Sequence, residues 1–396
     1  MNIAIIGGGA AGLICSIKAA GSNSVTIYEK NNKCGKKILV TGNGKCNYFN
    51  NDFTISHYNS TNLDILSTII NDNNKEKVLS FFESIGIVPK IVNGYYYPVT
   101  NQAITIKEAL VNEAKLRGVK FSYETEITDI KYENNKFILN NSISVDKVVL
   151  ATGSKAAPNT GSDGIGYILA SKFNHTIIKP LPALVQLESN EKYLKDWSGI
   201  RSDVKIKLYE NDKFIKEENG EVQLTDYGIS GICVFQLSSY IVRNISNNKE
   251  DLYINFLPWL DGNINEYLYN RNNSMKGRCI SELLDGLLNY KLVNLILSKN
   301  KIDNNKKYNE LSKEEISKIC NDLVNFKLNI TGYKDFDKSQ VASGGVPLSE
   351  IDINSFESLK QKGLYIIGEL LDVDGNCGGY NLGFAWLSGI IAGENI

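Results

Sequence analysis

The run Gly7-Gly8-Gly9-Ala10-Ala11-Gly12-Leu13 constrains the fold more than any other stretch of the chain. An apolar, β-branched segment (Ile3 to Ile6) precedes it, a helical pattern (Ala10 to Ala20) follows, and a second apolar segment (Val25 to Glu29) closes the unit. This order predicts strand, glycine turn, helix and parallel strand. The glycines at 7, 9 and 12 then have separate tasks: Gly7 permits the tight turn, Gly9 lets a pyrophosphate approach the backbone, and Gly12 lets helix and strand pack closely. Ala10 and Ala11 sit in the first helical turn, where free N–H groups face a phosphate. Glu29, at the end of the second strand, is placed to accept ribose hydroxyls, and Lys30 follows it. An acid there repels a 2′-phosphate, so the tightly held nucleotide is expected to be FAD or NAD, not NADP. The apolar start is not read as a signal peptide, because it lacks a basic leader and is broken by three glycines. A turn that serves packing alone is the competing reading.

Three later segments favour a flavin. Cys34 to Asn47 is too polar and glycine-rich for a core element and reads as a ligand-facing loop, with Lys36 or Lys37, Gly42, Asn43, Gly44, Cys46 and Asn47 as candidate cofactor contacts. Val145 to Gly153 is an apolar strand ending in Ala151-Thr152-Gly153, whose small residues are expected beside the cofactor; Ile127 is a further candidate contact. Near the C-terminus a strand ends in Gly368-Glu369, and helical spacing resumes near Tyr380 behind Gly378 and Gly379. Glu369 is placed to hold a ribityl hydroxyl. The helix start, with Gly379, Tyr380, Asn381 and Leu382, is placed to face the flavin N1–C2=O edge, where negative charge gathers on reduction. The glycine-rich run from Pro158 to Gly166 does not lie between strand and helix, so no separate NAD(P)H domain is read from it.

Composition excludes other chemistries. Forty-three Lys and Arg balance 44 Asp and Glu, a formal charge of −1, so no general field draws the chain to nucleic acid or an anionic membrane. Seven sparse cysteines outline neither a disulfide ladder nor zinc knuckles, and fit reduced thiols in a cytoplasm. With only His57 and His175, a three-histidine metal site is impossible and no metal is expected. The chemistry is therefore expected to come from a cofactor.

At these residues the chain resembles the bacterial BaiN/RdsA-like, aminoacetone-oxidase-like FAD-binding family. The resemblance runs from GGGAAGL at the start through GKKILVTGNGKCN (35–47), GYYYPVTNQA (94–103), ATGSKAAPNTGSDGIGY (151–167), PLPALVQL (180–187) and ASGGV (342–346) to GELLDVDGNCGGYNLGFAW (368–386). It implies tightly bound, non-covalent FAD and a two-electron flavin reaction. Family members often carry Arg at the places of Tyr95 and Lys45, and Thr or another small residue at that of Cys377, which bears on substrate identity.

The fold expected is α/β: a discontinuous Rossmann-type FAD-binding domain (1–186 plus 335–396), a β-barrel-like insert (187–260 plus about 327–334) and a helical insert (261–326). Short strands at Val204 to Tyr209, Glu221 to Leu224 and Leu252 to Phe256 belong to the former insert, and a capping box at Ser312 and Glu315 opens a helix of the latter. The resemblance places these inserts over the flavin, with the substrate pocket between.

Two reactions compete. In one, NADH or NADPH reduces the flavin and a conjugated small molecule, an enone or a steroid or bile-acid-like compound, accepts hydride. In the other, a small amine such as aminoacetone reduces the flavin and oxygen reoxidises it with release of peroxide. A non-catalytic flavin-binding module is the alternative of another class. The candidate catalytic residues are Tyr96, a phenol able to donate a proton, and Cys377, a thiol in the loop before the last helix. His57 and His175 are weighed against surface and turn roles.

Overall fold

A computed structural model describes residues 1–245 and 249–396 in two compact units, Met1–Ala183 with Phe336–Ile396, and Leu184–Asp335.

The first unit is built on a seven-stranded sheet in the order Ile351–Asp352, Glu357–Ser358, Leu364–Ile366, Lys147–Leu150, Asn2–Ile6, Ser24–Tyr28, Lys120–Ser122. The five strands from Leu364–Ile366 to Lys120–Ser122 pair in parallel. Ile3 through Ile6 lie at the centre, each at most 4% exposed, so the run is apolar on both faces rather than alternating. The helix Ala10–Ala19 connects the first two strands as the glycine pattern predicts. The C-terminal helix Tyr380–Asn395 packs directly on it through glycines. A Cβ on Gly389 would sit 2.6 Å from Ala11 O, and one on Gly393 2.6 Å from Cys15 O. Because both numbers rise together, the two helices run in the same direction, and their N-termini point the same way.

A three-stranded antiparallel sheet, Phe49–Asn50, Tyr95–Pro98 and Pro89–Val92, belongs to the same unit.

In the second unit a seven-stranded sheet runs in the order Phe326–Ile330, Glu250–Asn255, Arg201–Glu210, Lys213–Leu224, Gly228–Ser230, Leu187–Glu188, Gly332–Tyr333, antiparallel in every pair. Its two edges are successive parts of one segment, and Thr331 N between them donates to Glu188 O at 2.9 Å, so the sheet returns on itself like a barrel. The helices Ile232–Asn244, Ile264–Ser274, Ile280–Asp285, Tyr290–Lys299 and Lys313–Val324 share one apolar core with these strands. The capping box at Ser312 is present: Glu315 N donates to Ser312 Oγ (3.2 Å) and Ser312 N to Glu315 Oε2 (2.7 Å). Among the described residues no helix is long and apolar enough to cross a membrane.

Candidate active site

The fingerprint glycines occupy three different environments. Gly7 has φ +103°, and a Cβ there would lie 2.5 Å from Ala151 O. A Cβ on Gly12 would overlap Gly7 O, whereas one on Gly9 would meet nothing within 4 Å. The turn is thus closed at 7 and 12 and open at 9, the arrangement a pyrophosphate needs. Gly9 caps the helix Ala10–Ala19 with no side-chain bond, and no acid lies in its first turn. The first intrahelical bond is Leu13 N to Gly9 O, which leaves the N–H groups of Ala10, Ala11 and Gly12 directed outward.

Glu29 is 8% exposed and partly engaged. Its Oε1 accepts from Asn31 N (2.8 Å) and Asn31 Nδ2 (2.7 Å), and its Oε2 accepts from Gly8 N (2.8 Å). A carboxylate offers about four acceptor positions. One therefore remains on Oε2 for a ribose hydroxyl, so the acid has a structural task as well as the binding role expected of it. Lys30 Nζ pairs with Asp163 Oδ2 at 2.5 Å, and Lys36 Nζ donates to Asn31 Oδ1 at 2.6 Å, so both lysines fasten loops around Glu29.

The segment read as a loop contains a short helix, Lys36–Val40, followed by left-handed turns at Gly42 (φ +55°), Asn43 (φ +54°), Gly44 (φ +79°) and Cys46 (φ +56°). Gly42, Asn43 and Gly44 are exposed. Cys46 is not: at 0% exposure it has no surface to give a cofactor, and burial pushes its thiol up to about 12. Ile127, 2% exposed, is likewise a core residue. The Cys46 assignment is corrected to packing; the ring of polar neighbours hid its inward turn. Asn47 Oδ1 is buried without a hydrogen-bond partner, and a Cβ on Gly379 would come 2.9 Å from it.

Beyond the strand Lys147–Leu150, Ala151 is buried, while Thr152 and Gly153 are half-buried. Gly153 has φ +75°, and a Cβ there would lie 2.7 Å from Ser162 Oγ and 3.9 Å from Glu369 Oε2. The Ala-Thr-Gly turn and the Gly368-Glu369 turn therefore meet, as adjacent parallel strands require. Glu369 is held by Lys37, whose Nζ lies 2.6 Å from Oε2, and by Ser154 Oγ at 3.4 Å. Gly368, with φ +68°, has no room for a side chain, since a Cβ would come 2.9 Å from Ala11 Cβ.

The helix Tyr380–Asn395 starts behind Gly379 (φ +93°) with no side-chain cap and no acid in its first turn. The side chain of Asn381 is committed elsewhere: its Oδ1 accepts from Gly375 N (2.8 Å), and its Nδ2 donates to Gly375 O (2.8 Å). Asn381 and Leu382 offer backbone N–H, and Gly383 N begins the helical ladder on Gly379 O. Uncapped donors with a positive dipole end fit the electron-rich edge of a flavin.

The tyrosine triplet divides by strand alternation. Tyr96, 7% exposed, turns into an aromatic cluster with Tyr48 and Phe49, its hydroxyl 3.5 Å from Asn51 Oδ1, and burial raises its pKa. Tyr95 and Tyr97 take the opposite face: a Cβ on Gly378 would lie 2.7 Å from the Tyr95 ring, and one on Gly42 3.8 Å from that of Tyr97. The acid role assigned to Tyr96 is thus displaced, and its neighbours are the phenols beside the two glycine loops. Cys377 is half-buried with Sγ 3.8 Å from Gln340 Oε1, and no disulfide occurs among the described residues. His175 is a buried turn residue between Glu350 Oε2 (2.8 Å) and Ser358 Oγ (2.7 Å).

Residues 1–395 match the family model described as the HI0933-like protein Rossmann domain. Among curated proteins, the chain is 35% identical to a 3-dehydro-bile acid delta(4,6)-reductase of Clostridium scindens, over 99% of this chain and 98% of that one. It is 30% identical to a ribosomal RNA dihydrouridine synthase of Haemophilus influenzae, over 97% of this chain and 95% of that one. Among solved structures it is similar to the Mycobacterium smegmatis Sdh1 complex in the apo form, at 13% identity and a TM-score of 0.46, covering 99% of this chain and 67% of that one. With a whole-chain family match added to the open Gly9 turn, the buried acid that ends the second strand and the uncapped C-terminal helix, the chain belongs to the HI0933-like Rossmann family and is a flavoprotein oxidoreductase.

Proposed function

We propose that the protein reduces a carbon–carbon double bond conjugated to a carbonyl in a small, apolar molecule, with FAD as the resident cofactor and NADH or NADPH as the transient electron source. One observation carries this reading: the relative at 35% identity over 99% of the chain is named a delta(4,6)-reductase of a 3-dehydro bile acid, a substrate whose double bonds are conjugated to a ketone. When bound, FAD supplies two-electron hydride chemistry at N5. The chain's own residues supply the rest. The N–H groups of Ala10 to Gly12 hold the pyrophosphate, Glu29 takes a ribose hydroxyl, and Glu369, neutralised by Lys37, takes the ribityl chain. The uncapped start of Tyr380–Asn395 stabilises charge at the pyrimidine edge, and Tyr95 or Tyr97 offers a proton to the substrate carbon next to the carbonyl.

A second reading keeps the chemistry and changes the substrate. The relative at 30% identity is named a ribosomal RNA dihydrouridine synthase, and the uracil 5,6 double bond is also conjugated to a carbonyl. The balance of 43 basic against 44 acidic residues favours the small molecule. The amine-oxidase reading has no counterpart in the names of the two curated relatives described above.

Anaerobic mixing with NADH and, separately, NADPH tests the proposal through the visible flavin band. Bleaching by either, reversed by a conjugated 3-ketosteroid, is expected. A flavin that stays oxidised with both nucleotides but bleaches with aminoacetone overturns it; reversal by unmodified ribosomal RNA alone selects the second reading.

A further inference from the structure

His57 has no part in the chemistry above, yet the structure gives it three well-defined partners. Its Nε2 lies 2.7 Å from Asp52 Oδ2, its Nδ1 lies 3.2 Å from Asn376 Nδ2, and its ring stacks on Tyr380 with centroids 4.3 Å apart and planes 20° from parallel. The backbones join as well, Asn376 N donating to His57 O at 2.9 Å. Tyr380 is the first residue of the C-terminal helix, 5% exposed, and its carbonyl accepts from Tyr58 OH at 3.0 Å. His57 is thus stapled to both the loop that leads into the uncapped helix start and the residue that begins it.

The bonding pattern fixes the neutral ring. Nδ1 accepts from the Asn376 amide, so Nε2 carries the proton and donates it to Asp52. Protonation places a second N–H at Nδ1, where the amide NH₂ has nothing to accept it with; Asn376 must turn its oxygen inward or release the bond. The ring also gains a positive charge against Tyr380, at the helix end whose dipole already favours negative charge nearby. The Asp52 side chain is 60% exposed, so protons reach the pair from solvent.

We propose that His57, held by Asp52, is a positioning residue of the flavin site, and that its protonation couples solvent pH to the helix start at Tyr380 and so to the ease with which the flavin is reduced. This rests on the reading that the helix start faces the flavin pyrimidine edge. Among the described residues, the titratable groups that act on Asp52 or Tyr380 include Lys75 and Tyr95. Lys75, on the helix Asp72–Ser84, bonds Asn51 O at 2.7 Å; Tyr58 and Tyr380 lie on the inner side; Asp374 pairs in register with Asn59. The hydrogen bond from His57, against a smaller opposing effect of burial, holds the Asp52 carboxyl below its usual range, in keeping with a charge-bearing pair.

The test is the midpoint potential of the flavin-loaded protein as a function of pH, by dye equilibration, for wild type, His57→Gln and Asp52→Asn. Wild type is expected to show a bend that depends on His57, with reduction favoured on the acid side of it. His57→Gln loses the bend at full flavin content and with an unchanged visible spectrum. Asp52→Asn displaces the bend, because a protonated ring loses its counter-ion. Superimposable curves for loaded wild type and His57→Gln overturn the inference and return His57 to packing. If His57→Gln purifies without flavin, Asp52→Asn decides: a displaced bend supports the inference and an unmoved one overturns it. A wild-type chain that takes up no flavin overturns the proposed function, and this inference with it.

Discussion

Lys37 Nζ and Glu369 Oε2 lie 2.6 Å apart across 332 residues of sequence, joining the short helix after the second strand to the turn after the last parallel strand. Both side chains are half-buried, so screening is incomplete, and each group leaves the other uncompensated if removed. Lys37→Met is expected to weaken FAD binding about five- to tenfold, the equivalent of about 1 kcal/mol, while the chain stays folded. Fluorescence quenching on FAD titration into apoprotein measures this; an unchanged dissociation constant would detach the pair from the cofactor.

Glu29 holds Gly8 and Asn31 in place beside the ribose contact proposed for it, and its substitutions should separate the two. Glu29→Ala leaves Gly8 N and both donors of Asn31 without an acceptor. The expected cost is about 2 kcal/mol of stability, together with loss of flavin on gel filtration. Glu29→Gln keeps one acceptor oxygen and is expected to lose less of both. Equal stability for wild type and Glu29→Ala in urea titrations would remove the structural half of the role.

Gly389 has no space for a side chain, because Ala11 O would lie 2.6 Å from a Cβ. Gly389→Val is expected to cost about 2 to 3 kcal/mol through overpacking and to separate the two parallel helices. Flavin content should fall with it, whereas Gly21→Ala, at a glycine whose Cβ would meet nothing within 4 Å, should leave flavin content unchanged.

Glu250 in the second unit is 2% exposed, and burial, then the charges of Glu210 and Asp251, push its carboxyl up to about 7. A raised acid is favoured folded in its protonated form. Its contribution is therefore full below the ordinary carboxylate range and is lost as pH rises through about 7. Glu250→Gln is expected to match wild type at about pH 5 and exceed it by on the order of 2 kcal/mol at about pH 8. Chemical denaturation at the two pH values checks this; a variant less stable than wild type at the higher pH would refute it.

What the sequence disclosed was mainly backbone. Gly7, Gly9, Gly12 and Gly379 matter for what a Cβ would strike or leave open, and a glycine in a strand-to-helix turn announces that directly. Glu29 and Glu369 were legible because strand ends fix where side chains emerge. Side-chain direction within irregular or edge segments was not. Tyr96 and its neighbours are chemically identical, and only pairing of Tyr96 with Phe49 and Ile91 decides which face each takes. Cys46 sits among polar, glycine-rich residues yet turns inward through a left-handed φ of +56°. The contacts of His57 were beyond reach, since its partner Asn376 is 319 residues away and asparagine at that place has no pattern to announce it.

The parallel glycine contact between Ala10–Ala19 and Tyr380–Asn395 also dictates an order of events during synthesis. The glycine turn leaves the ribosome before the second unit, whereas the strand Leu364–Ile366, Glu369 and the helix that closes over Ala11 leave after it. Domains fold as units when their pieces are available, and here one piece of the first unit is missing until the second unit has been made. The second unit, Leu184–Asp335, emerges whole in the interval. Completion of the first unit therefore follows emergence of the second, and a ribosome stalled before Leu364 would hold a chain with the insert made and the helix Ala10–Ala19 still without its glycine-packed partner.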